Sequence, residues 1–92
     1  MTLDELFAII TERRENPSPS SHTARLFALG TDEIIKKVGE EAIEVVLAAK
    51  GQGNQRLIEE VADLAYHTLV LLSAAHIKPE DIYAELERRH RK

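Results

Sequence analysis

The chain has 92 residues and a formal net charge of −4, from 12 lysines and arginines against 16 aspartates and glutamates. A chain of this length is expected to form one small domain with a thin core, residues 1–92. The acidic balance argues against non-specific binding of nucleic acid, because phosphate backbones are held by clustered lysines and arginines. The sequence has no cysteine, so it offers neither a disulfide nor a thiolate site, and the expected compartment is the cytoplasm.

The sequence contains no pattern typical of a membrane span or a secretion signal. The longest stretch without a formal charge, residues 64–77, is too short to cross a bilayer comfortably. The first residues, MTLDELFAII, carry acids where a signal peptide has a basic leader. We therefore expect a protein that does not bind membranes.

Helical spacing of apolar residues predicts the elements of the first third of the chain. The first helix follows a capping-box pattern at Thr2 and Glu5 and is predicted to reach about Arg13. The segment ENPSPSSH, residues 15–22, is rich in proline and serine and is predicted to be a loop. Residues 23–29 are predicted to form a short helix that ends at a glycine.

Two long helices and a shorter one are predicted for the rest of the chain. Thr31 is the predicted N-cap of a third helix that continues to Ala49. Asn54 is predicted to open a fourth helix that continues to about Ala75, and Pro79 to open a fifth. The short turn between the third and fourth helices favours antiparallel packing. The predicted fold class is therefore all-α, a bundle of about five helices with two long antiparallel helices at its centre.

Acidic residues interrupt the apolar face of each long helix. In GEEAIE, residues 39–44, helical spacing places Glu41 inside the apolar stripe. Glu40 and Glu44 flank this stripe on one side, together with Lys37. The fourth helix has a similar cluster, which contains Arg56, Glu59, Glu60, Asp63 and His67. Two acidic clusters are thus predicted on faces that would otherwise belong to the core.

The spacing of these acids favours a metal site. Glu41 and Glu44 are three residues apart, as are Glu60 and Asp63, so each pair projects from one side of its helix. Buried carboxylates require a compensating cation, and facing pairs on two packed helices would form an all-oxygen site. Such a site suits Mg²⁺ or Mn²⁺. A solvated acidic face is the alternative for either cluster taken alone.

Most of the histidines are predicted at the surface, and the aromatic residues are predicted in the core. His67 follows Asp63 by four residues and is either a partner of the metal ligands or a histidine satisfied within the core. The histidines predicted at the surface are His22, His76 and His90. The aromatic residues predicted in the core are Phe7, Phe27 and Tyr66.

The acid motif resembles that of a known superfamily. Glu40-Glu41-x-x-Glu44 followed by Glu60-x-x-Asp63 is similar to the EExxE and ExxD motifs of the all-α nucleoside triphosphate pyrophosphatases, which include MazG-like enzymes. The blocks SSHTARLFALGTDEIIKKVGEEAIEVVLAAK, EEVADLAYHTLVLL and ELERR narrow this likeness to the phosphoribosyl-ATP pyrophosphohydrolase family. The similarity covers nearly the whole chain. Relatives commonly read Ser-Tyr-Thr where this chain has Ser-His-Thr at residues 21–23.

The resemblance implies a reaction. It is the metal-dependent hydrolysis of the α,β-phosphoanhydride of N1-(5-phosphoribosyl)-ATP to N1-(5-phosphoribosyl)-AMP and pyrophosphate, the second step of histidine biosynthesis. The metal would be Mg²⁺, or Mn²⁺, with four acidic ligands: Glu41, Glu44, Glu60 and Asp63. Glu41 and Glu40 are the expected catalytic residues, and Glu40 either binds a second metal or accepts the proton of the attacking water.

Basic and hydroxyl side chains are candidates to bind the substrate phosphates. They are Lys37, Arg13, Arg89, Ser21 and Thr23. For the three basic residues an ordinary surface or salt-bridge role is the alternative, and for Thr23 a helix cap.

The resemblance also implies a homodimer, with helices packed across the interface. The fourth helix agrees with this, because it is apolar around most of its circumference, including Val61, Leu64, Leu69 and Leu72. Many relatives are fused to the cyclohydrolase of the next step, and this chain has no room for that domain, so a stand-alone enzyme is expected. Two other functions stay open. One is a house-cleaning pyrophosphatase of the same superfamily, and the other is a non-catalytic helical interaction module.

Overall fold

The computed structural model describes residues 1–91, and every regular element within them is an α-helix. The helices in chain order are α1 (Leu3–Glu15), α2 (His22–Leu29), α3 (Thr31–Gly51), α4 (Asn54–Ala74) and α5 (Pro79–His90). The predicted all-α class and the predicted order of elements are confirmed. None of these five helices is long and apolar enough to cross a membrane.

Side-chain caps explain where the first two helices begin. The hydroxyl of Thr2 accepts a hydrogen bond from the Glu5 amide at 3.1 Å, and the Glu5 carboxylate accepts one from the Thr2 amide at 2.7 Å. The predicted capping box is therefore formed. Ser21 caps α2, since its hydroxyl accepts from the Ala24 amide at 3.1 Å. Consequently α2 begins one residue earlier than predicted.

A single glycine joins α2 to α3. Gly30 ends α2 and precedes the first residue of α3, with φ of 99°. Glycine takes this conformation without the strain that a side chain would suffer. The prediction of Thr31 as N-cap was wrong by one residue, because Thr31 is already helical and no side chain caps this helix. At its other end α3 reaches Gly51, two residues beyond the predicted end.

The two long helices run antiparallel, as predicted. Each has 21 residues. Ile34, near the start of α3, shares the buried core with Leu69 and Val70 near the end of α4. Glu41, further along α3, lies beside Glu60, which is early on α4. The start of α3 therefore lies against the end of α4, and acids nearer the middle of the two helices come together.

The shorter helices complete the core. α1 packs on α4 and contributes the fully buried Ile10, while α2 packs on α1 and α3 and contributes Leu26. The aromatic residues predicted in the core, Phe7, Phe27 and Tyr66, are half-buried and pack against these residues. α5 packs on α1.

The residue that follows α4 closely, His76, has a left-handed backbone conformation. The Ile77 amide donates to the Leu72 carbonyl at 2.9 Å and the His76 amide to the Ser73 carbonyl at 3.1 Å, with His76 at φ of 59°. Side chains strain this left-handed conformation, and glycine does not. We expect His76→Gly to raise the free energy of unfolding by about 0.5 kcal/mol in urea denaturation.

The matched control for this prediction is His76→Ala. It removes the imidazole but keeps a β-carbon, so the backbone strain stays and stability close to wild type is expected. Equal stability of the glycine and alanine variants would contradict the argument.

Candidate metal centre

Three carboxylates from the two central helices converge. Glu41 comes from α3, and Glu60 and Asp63 come from α4, with one carboxylate oxygen of each lying within 4.8 Å of the other two. The spacing of three residues puts Glu60 and Asp63 on one side of α4, and antiparallel packing brings Glu41 opposite them. Carboxylate oxygens are the donors that hard divalent cations prefer. The arrangement is therefore a possible acidic metal site, which we call the acid cluster.

The acid cluster extends from the core to the surface. Glu60 is buried, with 5% of its surface exposed, Glu41 is half-buried and Asp63 is exposed. The prediction of core-directed acids thus fits Glu60, fits Glu41 in part and is wrong for Asp63. At Asp63 the face of α4 is open to solvent. A ligand can reach the cluster from this side without separating the helices.

Electrostatics within the cluster favour a cation. Burial raises the pKa of Glu41 above its ordinary value, and the charges of Asp63 and Glu60 raise it further. Lys37 lowers this pKa and Glu44 raises it, both to a smaller extent. The metal-free cluster therefore holds mutually repelling carboxylates in a partly desolvated position. A divalent cation among them would relieve both the repulsion and the desolvation.

Two basic side chains compensate part of the acidic charge. Nη2 of Arg56 lies 2.5 Å from a carboxylate oxygen of Glu60, and its Nη1 lies 2.7 Å from Glu59. Nζ of Lys37 lies 3.7 Å from Glu40. The pairing of Arg56 was not predicted, although its position four residues before Glu60 is the spacing that brings helical side chains together.

His67 is a buried neighbour of Glu41. It is 8% exposed, and its Nε2 lies 4.0 Å from Oε1 of Glu41, beyond hydrogen-bond distance. Burial lowers the pKa of His67, the Lys37 ammonium and the neighbouring His22 side chain lower it further, and the carboxylates of Asp63 and Glu40 raise it to a smaller extent. The imidazole is therefore neutral at pH 7, so it adds no positive charge to the cluster.

The other two predicted acids lie at the edge of the cluster. Glu44 is half-buried one turn after Glu41, and its carboxylate is not among the three that converge. Glu40 is exposed, and among residues 1–91 its ion-pair partner is Lys37. The structure thus brings three of the five acids of the motif into one group.

The remaining predicted site residues already have partners within the chain. Arg13 pairs with Glu12 at 2.7 Å and Arg89 with Glu85 at 3.1 Å, and both arginines are exposed. The hydroxyl of Ser21 caps α2. Thr23 shares a hydrogen bond with the hydroxyl of Tyr66, an inter-helix contact that was not predicted. As predicted, His22, His76 and His90 are exposed.

Comparison with known families agrees with the acid motif. Residues 3–90 match the family model described as phosphoribosyl-ATP pyrophosphohydrolase. The chain belongs to this family. The match covers all five helices of the described structure, including both helices that carry the acid cluster.

Individual relatives within the phosphoribosyl-ATP pyrophosphohydrolase family are similar over most of the chain. A phosphoribosyl-ATP pyrophosphatase from Geotalea daltonii is 53% identical over 87 residues, which cover 95% of this chain and 82% of the relative. One from Sulfurisphaera tokodaii is 48% identical over 87 residues, covering 95% of this chain and 93% of the relative. The histidine biosynthesis bifunctional protein HisIE of Gloeobacter violaceus is 50% identical over 90 residues, which cover 98% of this chain and 40% of that protein.

Proposed function

We propose that the protein hydrolyses the α,β-phosphoanhydride of N1-(5-phosphoribosyl)-ATP to N1-(5-phosphoribosyl)-AMP and pyrophosphate, within histidine biosynthesis. Membership of the phosphoribosyl-ATP pyrophosphohydrolase family and the names of its relatives support this reaction. The structural observation that carries the proposal is the convergence of Glu41, Glu60 and Asp63. A negatively charged polyphosphate requires a cation between itself and such a cluster.

The cation assigned to the cluster is Mg²⁺, which Mn²⁺ can replace. Glu41, Glu60 and Asp63 would hold it, and Glu44 stays the predicted fourth ligand. The all-oxygen donor set and the raised pKa of Glu41 support this assignment. When bound, the ion supplies positive charge to the polyphosphate and acidifies water in the site.

The chain's own residues perform the remaining tasks. Glu40, exposed at the edge of the cluster, accepts the proton of the attacking water. The water oxygen forms a bond to phosphorus, the bond from that phosphorus to the bridging oxygen breaks, and pyrophosphate leaves. We assign the Lys37 ammonium to a phosphate oxygen, and its position beside Glu40 and its electrostatic effect on Glu41 support this assignment. The phosphate contacts of Arg13, Arg89, Ser21 and Thr23 stay predictions.

The proposed reaction is tested by pyrophosphate release from phosphoribosyl-ATP, with ATP and dUTP as parallel substrates, in the presence and absence of Mg²⁺. We expect metal-dependent release from phosphoribosyl-ATP in clear preference to the other two. Preference for ATP or dUTP would move the protein to the house-cleaning pyrophosphatases. Release from none of the three would favour the interaction module.

We also propose that the working form is a homodimer. Apolar side chains on α3 and α4 are exposed in the single chain, among them Ile43, Val46, Ile58 and Val61 at 47–62% exposure. Gly39 is in the middle of α3, and no atom of residues 1–91 outside its own helix turn lies within 4 Å of where its β-carbon would be. A second chain packed on α3 and α4 would cover the apolar residues and approach closely at this glycine.

Substitution of Gly39 by alanine is expected to have opposite effects on the stability of α3 and on dimer formation. Gly39→Ala favours the helix by about 0.5–1 kcal/mol but adds a methyl group to a close contact. We expect the dissociation constant of the dimer, measured by sedimentation equilibrium, to rise by roughly tenfold.

Gly51→Ala is the matched control for assembly. Gly51 is also helical and equally free of contacts, but it lies at the end of α3. The control should keep the dimer intact. A wild-type monomer at micromolar concentration, or unchanged assembly of Gly39→Ala, would contradict the proposed interface.

A further inference from the structure

His22 and Tyr66 form an aromatic pair for which the proposed hydrolysis has no use. Their ring centroids are 6.3 Å apart and their planes are inclined by 24°, so the rings are stacked. His22 is the exposed first residue of α2, and Tyr66 is half-buried on α4. One aromatic surface of the pair therefore faces solvent.

Tyr66 is held in position from two sides. Its hydroxyl shares a hydrogen bond with Thr23, and its ring meets the ring of His67 edge-on at a centroid distance of 4.9 Å. Thr23 directly follows His22, so the turn of α2 that presents His22 also anchors Tyr66. Because Tyr66 is fixed in this way, it loses little conformational freedom when another ring stacks against the pair.

The aromatic pair lies next to the acid cluster. Tyr66 follows Asp63 by three residues, so the two share one side of α4. The adjacent His67 lies 4.0 Å from Glu41, and it is close enough to His22 for the two to interact electrostatically. A nucleotide whose phosphates reach the acid cluster can therefore bring its base to this pair.

Space for a base exists beside His22. An apolar cleft of about 340 Å³ borders this residue along α2. The other residues that line it are Arg25, Leu26, Ala28 and Leu29. All of the lining residues come from α2, and Tyr66 is not among them, so the cleft adjoins the pair on the His22 side only.

We propose that His22 and Tyr66 bind the adenine ring of phosphoribosyl-ATP by stacking and select it over unsubstituted adenine nucleotides. This inference rests on the proposed function. Adenine substituted at N1 is protonated and positively charged at neutral pH, whereas the adenine of ATP is neutral. Any base gains from stacking on an aromatic side chain, but only a cationic ring is also attracted to the negative ring faces. The aromatic pair is therefore a specificity-determining element beside the acid cluster.

Equilibrium binding without turnover tests this directly. The probes are AMP and 1-methyl-AMP, which differ in the N1 substituent and its charge, measured by calorimetry at saturating Mg²⁺. Neither probe contains a phosphoanhydride, so neither is hydrolysed. We expect the wild type to bind 1-methyl-AMP at least about threefold more tightly than AMP. His22→Ala should weaken the binding of 1-methyl-AMP by roughly tenfold and remove the preference. His22→Tyr should retain it, and His90→Ala, at an exposed histidine on α5, should match the wild type.

Steady-state kinetics on the same variants give the second readout. For phosphoribosyl-ATP we expect His22→Ala to raise KM and leave kcat nearly unchanged, because stacking binds ground state and transition state alike. Equal affinity of the wild type for AMP and 1-methyl-AMP would overturn the inference, as would an unchanged KM in His22→Ala. The proposed function fails separately, if the wild type releases no pyrophosphate from phosphoribosyl-ATP.

Discussion

Glu41→Gln is expected to lower pyrophosphate release from phosphoribosyl-ATP by at least about 100-fold at saturating Mg²⁺. Glu41 is the member of the acid cluster that α3 supplies. The glutamine amide in its place would leave the metal held by the α4 carboxylates without this ligand from α3. Glutamine has the same length as glutamate but offers one neutral oxygen, which is a weak ligand for a hard cation. The substitution therefore removes ligation while it preserves side-chain volume.

Glu33→Gln is the matched control for the activity measurement. Glu33 is also half-buried on α3, but it pairs with Lys36 at 3.6 Å and lies two turns before the cluster. Activity close to wild type is expected for this variant. A Glu41→Gln enzyme that keeps more than about a tenth of wild-type activity would show that Glu41 is not an essential ligand.

Mg²⁺ is expected to stabilise the wild-type protein against heat, and Glu41→Gln is expected to remove most of this effect. At a free concentration 100 times the dissociation constant, a ligand of the folded state adds about 2.7 kcal/mol. For a chain of this length that corresponds to roughly 10–20 °C in Tm. A scan of Tm against Mg²⁺ concentration measures the effect.

Without metal, we expect the Tm of Glu41→Gln to exceed the Tm of the wild type, the reverse of their order in Mg²⁺. The pKa of Glu41 is raised in the folded state, so its contribution to stability is complete below the ordinary glutamate pKa and is lost as the pH rises through the raised value. At pH 7 the charged Glu41 therefore destabilises the metal-free fold, and Glu41→Gln should melt at a higher temperature than the wild type. A variant that melts lower both with and without Mg²⁺ would contradict this electrostatic account.

The helices and the acid cluster could be predicted because both depend on local spacing. Capping residues and apolar periodicity locate the helices to within about two residues. Acids three residues apart must share a side of a helix, and a short connection makes the long helices antiparallel. Glu41, Glu60 and Asp63 could therefore be placed together from the sequence. The N-cap of α3 is Gly30 and not the predicted Thr31, because the backbone conformation at this junction is not specified by residue type alone.

Contacts between distant parts of the chain could not be predicted. Thr23 and Tyr66 are 43 residues apart in sequence and meet only because α2 packs beside the long pair. The stacking of His22 on Tyr66 depends on the same packing. The exposure of Asp63 likewise depends on which part of α4 the other helices leave uncovered. Periodicity marks a face as apolar or acidic, but it does not say which element covers that face.

In the proposed mechanism, Glu41, Glu60 and Asp63 together bind one divalent cation. Crystals grown with Mn²⁺ and measured at an energy where manganese scatters anomalously test this most directly. We expect an anomalous peak about 2.1 Å from a carboxylate oxygen of each of the three residues. A peak at another position, or none at the cluster when Mn²⁺ is in millimolar excess, would contradict the account.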